Sequence, residues 1–415
     1  MVYLYCLYVT PYKMELIDRP SYTNRISPFI GKGLIKVLTG QRRVGKSCIL
    51  QQMIKVIKEK DPSANIIYIN MEFEEFRTIR NDEDLFEFLK GKLVPTINNY
   101  LFIDEIQDIE GFENVLRSLQ AKESCDIFCT GSNAKILTGE LSTYLSGRFI
   151  EFHIHSLSFP EFLLFHQLES NNESLTLYLT YGGMPYLSRL GLTDELVFEY
   201  LRNIYSTILL KDVVKREGIR NIDFLETLAL YAADNVGNIF SANNISKFLK
   251  SQRTDISTTQ VISYLKALSN SYLINKVGRI EINGLKKFEV GDKYFFEDLG
   301  LRNCFLGFNL QRDIHKLMEN AVYLHLSMLQ YEVFVGKHDA IEIDFVGIKQ
   351  GKKIYIQVSY LIADEKTRDR EFGNLMAIKD NYPKYVVSLD DFNPESEIQG
   401  IRHLHLSDFL MLENL

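Results

Sequence analysis

The first third of the chain alternates short apolar runs with longer segments in which apolar residues recur at helical spacing. Each apolar run has the length of a buried strand. The runs lie near residues 34–39, 66–70, 100–104, 126–130 and 149–153. Strands that alternate with amphipathic helices are typical of a parallel sheet whose functional site lies at the carboxyl ends of the strands. We therefore predict a doubly wound parallel α/β domain over residues 14–157.

The pattern becomes helical after residue 157. The segment "SLSFPEFL" begins with Ser158 and carries Pro160, which suit the first turn of a helix, and helical spacing continues to about residue 215. The segment "YGGMPYL" interrupts this stretch because glycine and proline both disfavour helix interiors. We predict a helical lid over residues 158–215.

Residues 216–310 have the element order of a winged helix-turn-helix. The segments "DFLETLALYAADNVG", "SANNISKFLKSQ" and "STTQVISYLKALSNSYLI" predict three helices, and the following Asn283-Gly284 pair signals a β-hairpin, the wing. A winged helix can bind DNA or dock a protein, and both readings stay open. In a DNA complex, the helix starting at Ser257 would enter the major groove. The phosphate contacts would then come from Lys276, Arg279, Lys286 and Lys287.

The end of the chain returns to strand-like alternation. The helical segment "LMENAVYLHL" carries Glu319, and "AIEIDFVGI" places Glu342 and Asp344 on one face. The next strand, "IYIQVSY", places Gln357 and Ser359 on one face, where a Mg²⁺-dependent nuclease of the restriction-endonuclease type would carry a Glu and a Lys. We predict a degenerate nuclease site at Glu319, Asp344, Gln357 and Ser359. The alternative is that these are solvent-face residues of a half-buried sheet.

The strongest chemical motif follows the first apolar run. The segment "TGQRRVGKS" fits G-x-x-x-x-G-K-[ST] between a strand and a helix. In such a loop, glycines let backbone N–H groups wrap phosphates at a helix N-terminus. Lys46 would reach the β- and γ-phosphates of ATP, and Ser47 would ligate Mg²⁺. The predicted nucleotide-binding residues of the loop are Gly40, Gln41, Arg42, Arg43, Val44, Gly45, Lys46, Ser47 and Cys48.

Polar side chains end two later strands of the same predicted sheet. Asp104 and Glu105 close an apolar strand, and two carboxylates there are costly unless they serve a metal ion or a water. We predict Asp104 in the Mg²⁺ shell and Glu105 as the base that orients the attacking water. The next strand ends in Thr130, Ser132 and Asn133. Any of the three could sense the γ-phosphate, and Ser132 is included among the predicted nucleotide-binding residues.

Three arginines carry further expectations. Arg148 precedes the fifth apolar run and could be an arginine finger in its own subunit, a finger in a neighbouring subunit of a homo-oligomer, or an ordinary surface residue. Arg42 and Arg43 are unusual inside a P-loop. We expect at least one of them to pair with a carboxylate of the core instead of nucleotide.

Composition narrows the setting. The 415 residues, 46% hydrophobic and 24% charged, suggest about two to four globular domains. No apolar run approaches the roughly 20 residues that span a bilayer, so no membrane partner is expected. The five cysteines form no CxxC pair, which favours reduced thiols in a cytoplasm. The net charge is −7, but residues 216–310 hold more basic than acidic side chains, so a phosphate-binding surface is expected there.

The opening "MVYLYCLYVTPYK" is apolar but lacks a basic leader and a small-residue cleavage site. We expect residues 1–13 to be an extra segment before a native start at Met14.

Together these motifs resemble a large family of prokaryotic AAA-type ATPases. In that family a P-loop domain precedes a winged helix and a PD-(D/E)xK nuclease-like domain of unassigned function. The resemblance runs over nearly the whole chain from Met14 and is carried by "LIDRPSY", "TGQRRVGKS", "LFIDEIQ", "TGSNAKIL", "SGRF", "YGGMP" and "IEIDFVG". It implies an α/β multidomain fold with a P-loop AAA-type core, a helical lid, a winged helix-turn-helix, and a restriction-endonuclease-like domain over residues 311–415. Ser359 departs from the nuclease pattern.

We therefore predict a Mg²⁺-dependent ATPase switch that couples its nucleotide state to a winged helix and a tail, which bind DNA or a partner protein. One rival is an ATP-gated nuclease. Another is a signalling or scaffold ATPase without a nucleic-acid ligand.

Overall fold

The computed structural model describes residues 16–134, 145, 147–251, 256–284, 286, 291–307, 309–339, 341–362, 365–390 and 397–415. These residues form two compact units. The first contains residues 16–38, 45–131, 145 and 147–152, and the second contains residues 39–44, 132–134 and the described residues from 153 to 415. The predicted extra segment 1–13 lies outside the described residues.

The first unit is built on a five-stranded sheet. Its strands are β1 (Ile35–Thr39), β2 (Asn65–Asn70), β3 (Asn99–Asp104), β4 (Asp126–Gly131) and β5 (Phe149–His153). The strand order is β2-β3-β4-β1-β5, and β3 pairs in parallel with both β2 and β4. The five predicted strands are therefore confirmed to within one residue at either end.

Within the described residues of the first unit, four α-helices and three short 3₁₀ turns accompany this sheet. The helices are α1 (Pro20–Ile26), α2 (Lys46–Lys60), α3 (Asp82–Lys90) and α4 (Phe112–Ala121). The 3₁₀ turns are Ser27–Phe29, Glu74–Phe76 and Ile106–Asp108. Every residue of β1 is buried, including Lys36, whose ammonium pairs with Asp126 and lies 4.2 Å from the ring centre of Phe128. Burial of such a cation is tolerable only because it is paired.

In the second unit, the described residues from 159 to 270 form helices and turns, and further helices follow among the later strands. Its α-helices are α5 (Phe159–His166), α6 (Asn172–Tyr181), α7 (Asp194–Thr207), α8 (Ile222–Asp234), α9 (Ala242–Ser251), α10 (Thr258–Asn270), α11 (Leu299–Leu306), α12 (Leu310–Met328), α13 (Glu365–Met376) and α14 (Leu406–Leu410). A 3₁₀ turn (Pro185–Arg189) and a π-helix (Ile208–Lys215) complete the set. The predicted helix start at Ser158 is confirmed, because its side chain forms a reciprocal capping box with Glu161. None of the helices in the described residues is both long and apolar enough to cross a membrane.

In the part of the second unit that the structure describes, nine strands form two sheets. The strands are β6 (Ile274–Val277), β7 (Arg279–Glu281), β8 (Lys293–Phe296), β9 (Glu332–His338), β10 (Ile341–Lys349), β11 (Lys352–Val358), β12 (Lys384–Ser388), β13 (Glu397–Ile398) and β14 (Ile401–His405). β6 and β8 pair antiparallel in a small sheet. The others form a seven-stranded sheet in the order β13-β14-β12-β11-β10-β9-β7.

The pairing around the predicted wing differs from the expectation. Asn283 and Gly284 do lie in a turn, and the N–H of Glu281 donates to the carbonyl of Lys286 across it (2.9 Å). However, β7, just before this turn, pairs in parallel with β9 of the large sheet, while β6 pairs with β8. The turn residues specify a local reversal of the chain, but the partner of the strand is fixed by long-range packing.

The large sheet contains strands that the sequence analysis did not predict, namely β9, β12, β13 and β14. β9 stands between α12 and β10 and pairs antiparallel with β10, which in turn pairs antiparallel with β11. The hydrophobic core against the large sheet includes Ile343 and Tyr355 from the tail together with Ile280 and Ile282 from the segment around β7. Side chains on both sides of residue 310 therefore share one hydrophobic core.

Candidate functional site

The P-loop joins β1 to α2 through two glycines with positive φ. Gly40 has φ 138°, and a Cβ added there would lie 2.2 Å from the carbonyl oxygen of Ile154, so only glycine fits. Gly45 has φ 96° and directly precedes α2. Lys46 is the first residue of α2 and is 4% exposed. The N-terminus of a helix favours an anion through its N–H groups and its dipole.

Thr130 holds the two carboxylate residues at the end of β3. Its hydroxyl donates to Asp104 Oδ1 (2.6 Å) and accepts from the N–H of Glu105 (2.8 Å). Asp104 also shares a hydrogen bond with the Ser47 side chain. Which of Thr130, Ser132 and Asn133 senses the γ-phosphate stays a prediction.

Burial dominates the electrostatics of Asp104. Burial raises the pKa of this carboxyl, while the hydrogen bonds with Ser47 and Thr130 act in the opposite direction. Tyr68 and Asn70 from β2 add contacts to Oδ2 of Asp104 at 3.4 and 3.3 Å. A carboxylate held by so many donors has a fixed orientation, which suits a ligand of a metal ion.

The backbone of Glu105 is left-handed, with φ 57°. This conformation is unfavourable for a residue with a side chain, and such residues are concentrated at functional sites. The side chain is 9% exposed, and the amide of Gln107 donates to its Oε2. Glu105 is therefore held by a neighbour two residues away, a contact that the sequence reading did not anticipate.

In the second unit, a chain of polar contacts runs from Arg42 to Ser132. Arg42 donates to both carboxylate oxygens of Asp212 (2.5 and 3.0 Å), which is 1% exposed. Arg216 pairs with the same carboxylate (3.0 Å) and donates to the Ser132 hydroxyl (3.2 Å). The expectation that one P-loop arginine pairs with a core carboxylate is confirmed for Arg42. Its partner could not be chosen from sequence because it lies 170 positions away.

The remaining predicted residues have varied surroundings. The buried Gln41 side chain donates to the carbonyl of Tyr272 (2.9 Å), and Arg43 hydrogen-bonds with Tyr200. Val44 is fully buried and Cys48 is half-buried. Arg148 is exposed, and its carbonyl accepts from the N–H of Ile35 (2.9 Å). The structure thus ties the Gln41 side chain to the backbone at Tyr272, and Arg148 lies at the surface.

A second candidate site lies in the tail, where three carboxylates surround a buried lysine. Nζ of Lys293, on β8, is 3.3 Å from Glu319 Oε2, 3.1 Å from Glu342 Oε1 and 3.8 Å from Asp344 Oδ1. His315 Nδ1 is 3.2 Å from the other oxygen of Glu319. Glu319 and Asp344 are together, as predicted. Lys293 and His315 were missed because no local spacing connects β8 or the start of α12 to β10.

The charges of this carboxylate cluster are strongly coupled. Burial and the nearby Glu319 raise the pKa of Asp344 to about 7, although Lys293 and the N–H of Val358 act in the opposite direction. Burial lowers the pKa of Lys293, but the three carboxylates outweigh burial and raise the pKa overall. Lys293 therefore keeps its charge and serves as the internal counter-ion of the cluster.

The alternative interpretation, in which these residues lie on the solvent face of a half-buried sheet, is wrong. Gln357 and Ser359 are only 8% and 4% exposed, and Asp344 is 8% exposed, so these are not surface residues of a half-buried sheet. Gln357 Oε1 accepts from the backbone N–H of Asp344 (3.4 Å), whereas the Ser359 hydroxyl contacts the carbonyl of Leu361 (3.5 Å). The strand is covered on both sides, as its neighbours in a seven-stranded sheet and its packed helices require.

Two of the four predicted DNA-contacting residues are exposed in the described part of the chain. Lys276 is exposed but forms an ion pair with Asp292 (2.9 Å), and Lys286 is exposed. Lys287 lies outside the described residues. Ser257 caps α10 through a reciprocal contact with Gln260, which confirms the predicted start of that helix.

Comparison with known proteins was made on the sequence and on the fold. Residues 32–163 match the AAA domain family, and residues 172–312 match a domain of unknown function (DUF8612). An uncharacterized protein of Methanocaldococcus jannaschii is 31% identical over 365 residues, which cover 83% of this chain and 79% of that protein. A Walker-type ATPase of Pyrococcus abyssi superposes with a TM-score of 0.49 at 16% identity, covering 69% of this chain and 95% of its own.

An uncharacterized protein of Haemophilus influenzae is similar over almost its whole length. It is 34% identical over 403 residues, which cover 95% of this chain and 99% of that protein. The P-loop, β3 and its carboxylates all lie within the residues that match the AAA domain. The chain therefore belongs to the same family as the Haemophilus protein, and its N-terminal part is an AAA-type P-loop ATPase domain.

Proposed function

We propose that this protein is a Mg²⁺-dependent ATP-hydrolysing switch. The observation that carries the proposal is the hydrogen bond between Ser47 and Asp104, one at the start of α2 and the other at the end of β3. A Mg²⁺ ion bound to ATP takes its protein ligands from this pair of positions in P-loop nucleotidases. The donors are a hydroxyl and a carboxylate, the oxygen ligands that Mg²⁺ prefers.

Each residue then has a separate task. Lys46 neutralises charge on the β- and γ-phosphates, and the backbone of the loop holds the phosphates in place. Glu105 orients the attacking water, for which it must leave its hydrogen bond with Gln107. Thr130 keeps the backbone of Glu105 and the carboxylate of Asp104 in register.

The test is to measure ATP binding and turnover by the full chain and by two variants. Lys46→Ala should lose ATP binding because the cation facing the triphosphate is gone. Glu105→Gln should keep ATP bound but turn it over at least about 100-fold more slowly, since general-base catalysis typically contributes 10²–10⁴-fold.

Matched controls come from the same elements. Lys55→Ala removes an exposed lysine from α2, and Glu110→Gln neutralises an exposed glutamate shortly after β3. Both controls should bind and hydrolyse ATP like the parent. Parental turnover in Lys46→Ala and Glu105→Gln would rule out this site.

We further propose that, within the second unit, the nucleotide state is passed to the helices after residue 207 through the contacts of Arg42, Asp212, Arg216 and Ser132. Arg42 belongs to the P-loop, and Ser132 directly follows β4, so both ends of the contact chain start at nucleotide-binding positions. Asp212 lies in the π-helix, an element that often marks functional sites. A change at either end would therefore move the helices that follow residue 207.

The receiving surface is proposed to bind DNA or a partner protein. The helices α8, α9 and α10 with the β6–β8 sheet support a winged-helix reading, and the tail supports a nuclease-like reading. We expect the tail not to cleave nucleic acid. Lys293 already neutralises part of the negative charge that would attract Mg²⁺, and Ser359 supplies no cation on β11.

This part is tested by incubating the protein with single- and double-stranded DNA and RNA, with Mg²⁺ or Mn²⁺, and with or without ATP. No cleavage is expected. Cleavage that disappears in Asp344→Ala would instead establish the ATP-gated nuclease. Asp369→Ala, at an exposed position on α13, is the control.

A further inference from the structure

Two histidines and a glutamate that no prediction above includes come together in the second unit. His153 Nε2 and His155 Nδ1 lie 3.1 and 2.6 Å from the same oxygen, Oε1 of Glu297. All three ligand atoms lie within 4.8 Å of one another. Across the described residues, no other group of three or more His, Cys, Asp or Glu side chains meets that criterion.

The local structure explains how this His–His–Glu cluster forms. His153 ends β5 and His155 lies two residues later, and their imidazole rings are 4.4 Å apart between centres in an edge-to-face contact. Glu297 directly follows β8, and its N–H donates to the carbonyl of Leu273 (3.2 Å). Two separate backbone segments therefore fix the three side chains.

The cluster places a charged group where water cannot compensate it. The Glu297 side chain has no exposed surface, and those of His155 and His153 are 6% and 24% exposed. Removal of a carboxylate from water is strongly unfavourable unless a positive charge or several donors face it. A divalent cation between the two imidazoles and the carboxylate would supply that charge.

Further hydrogen bonds orient the ligands. The Asn275 amide donates to Glu297 Oε2 (2.5 Å), which turns Oε1 toward the histidines. Nδ1 of His153 lies 3.4 Å from the Thr39 hydroxyl. With its proton on Nδ1, His153 would present a bare Nε2 to a metal ion, and outer contacts of this kind are usual around metal-bound histidines.

The cluster also lies beside open space. A cleft of about 360 Å³ is lined by both histidines and by Tyr272, Asn275, Tyr323 and Glu332 among others. An ion in the cluster could therefore keep one coordination position open to solvent or to a small ligand.

We propose that His153, His155 and Glu297 bind one zinc ion, with the fourth position facing this cleft. Two imidazole nitrogens and one carboxylate oxygen are a donor set that zinc accepts with an open fourth site. A tetrahedral zinc ion with bonds of about 2.0–2.2 Å keeps its ligand atoms about 3.3–3.6 Å apart. The observed separations of 3.1 and 2.6 Å need to widen by less than about 1 Å, which side-chain rotation can provide.

The site lies beside the start of the P-loop in the same unit. The N–H of Ile154, between the two histidines, donates to the carbonyl of Thr39 (2.8 Å). Tyr272 lies 4.8 Å, ring to ring, from His153 and accepts the side-chain hydrogen bond of Gln41. The zinc proposal does not depend on ATP hydrolysis, and its test needs no nucleotide.

The experiment strips the full-length protein of metal with a chelator and then titrates it with Zn²⁺ and with Co²⁺ as a visible probe. We expect one ion per chain, a Co²⁺ absorption spectrum typical of four-coordinate nitrogen and oxygen ligands, and a rise in melting temperature with Zn²⁺. His153→Gln and Glu297→Gln should each weaken Zn²⁺ at least about 10–100-fold, the loss that even outer-shell partners cause.

His338→Gln is the matched control, because it removes a partly buried histidine from β9, outside the cluster. It should bind Zn²⁺ like the parent. His153 is the most exposed ligand, so His153→Gln should fold even if Glu297→Gln does not, and its circular dichroism and melting temperature verify this. Equal Zn²⁺ affinity and an unchanged Co²⁺ spectrum in folded His153→Gln would overturn the proposal, as would no ion bound by the parent. Either result would make the cluster a set of histidine–carboxylate hydrogen bonds.

Discussion

Arg42 and Asp212 form a two-bond ion pair between the P-loop and the π-helix, with the carboxylate almost completely buried. Asp212 keeps a second partner in Arg216, so its charge stays partly compensated when Arg42 is lost. The pair therefore links the P-loop to a helix 170 positions later within one unit.

We expect Arg42→Ala to lower the free energy of unfolding by about 1–3 kcal/mol, less than the loss from a buried charge left without any partner. Arg42→Ala combined with Arg216→Ala should cost more than the sum of the single changes, because Asp212 then has neither cation. Urea denaturation measures these differences. Arg77→Ala, which removes an exposed pair with Glu74, should change stability by less than about 1 kcal/mol and serves as control. Additive losses would show that the two arginines act independently.

The Thr130 hydroxyl contacts both Asp104 and the backbone of Glu105. Thr130→Val keeps the shape of the side chain but leaves the buried N–H of Glu105 without its acceptor, at a cost of about 1–3 kcal/mol. We expect slower ATP turnover with little change in ATP affinity, and Thr130→Ser should restore turnover. Steady-state kinetics and nucleotide titration distinguish the two effects. A loss of affinity equal to the loss of turnover would instead indicate direct phosphate contact.

Arg148 has the exposure that a residue needs to act in a neighbouring subunit. If it is a finger in trans, turnover per subunit should rise with protein concentration. Arg148→Ala should then retain ATP binding and lose turnover by up to about 10³-fold or more. Arg80→Ala, at another exposed arginine of the first unit, is the control. Unchanged turnover in Arg148→Ala would make Arg148 an ordinary surface residue.

DNA binding, if residues 216–310 provide it, should be modest and dependent on salt. Each phosphate contact contributes about −0.9 to the slope of log K against log salt concentration. Charge reversal of Lys286 and Lys287 to Glu should weaken binding and reduce that slope by about 1–2. Lys352→Glu, at an exposed position in the tail, is the control. If binding depends neither on salt nor on the changes at Lys286 and Lys287, these lysines are not part of a DNA-binding surface.

The raised pKa of Asp344 makes stability depend on pH. Its carboxyl has an ordinary pKa of 3.8 and a pKa of about 7 in the folded protein, so between these values the folded state binds more protons than the unfolded state. The free energy of unfolding must then fall as pH rises through this window. Asp344→Asn should flatten the fall by a few kcal/mol at most. Denaturation at pH 5 and pH 8 checks it, with Asp339→Asn, at an exposed position, as control. An equal fall in Asp344→Asn would assign the dependence to other groups.

The sequence predicted the first unit well because its signals are local. An apolar run followed by "GQRRVGKS" specifies a strand, a loop and a helix without reference to any distant residue, and β1 and α2 lie where the pattern puts them. Asp104 and Glu105 were likewise legible as the end of an apolar strand.

The second unit was harder because its important contacts are long-range. Lys293 lies in residues 216–310, which were predicted to be a winged helix, but it contacts carboxylates of α12 and β10. His153 contacts Glu297, which lies more than a hundred positions later in the chain. Periodicity reports which face of an element is apolar, but it does not report which other element covers that face. For the same reason the sequence left open whether Gln357 and Ser359 are buried or lie on a solvent face.

The parallel pairing of β7 with β9 affects how this protein could be divided by recombination or by proteolysis. A fragment starting at residue 311 would lose β7, so β9 would become an open sheet edge that invites pairing with other chains. The same fragment would lose Lys293 and keep Glu319, Glu342 and Asp344 without their cation. A separate protein that starts at residue 311 would thus need both a new element to cover the edge of β9 and a new positive charge beside the three carboxylates. A division of the chain before β6 would require neither.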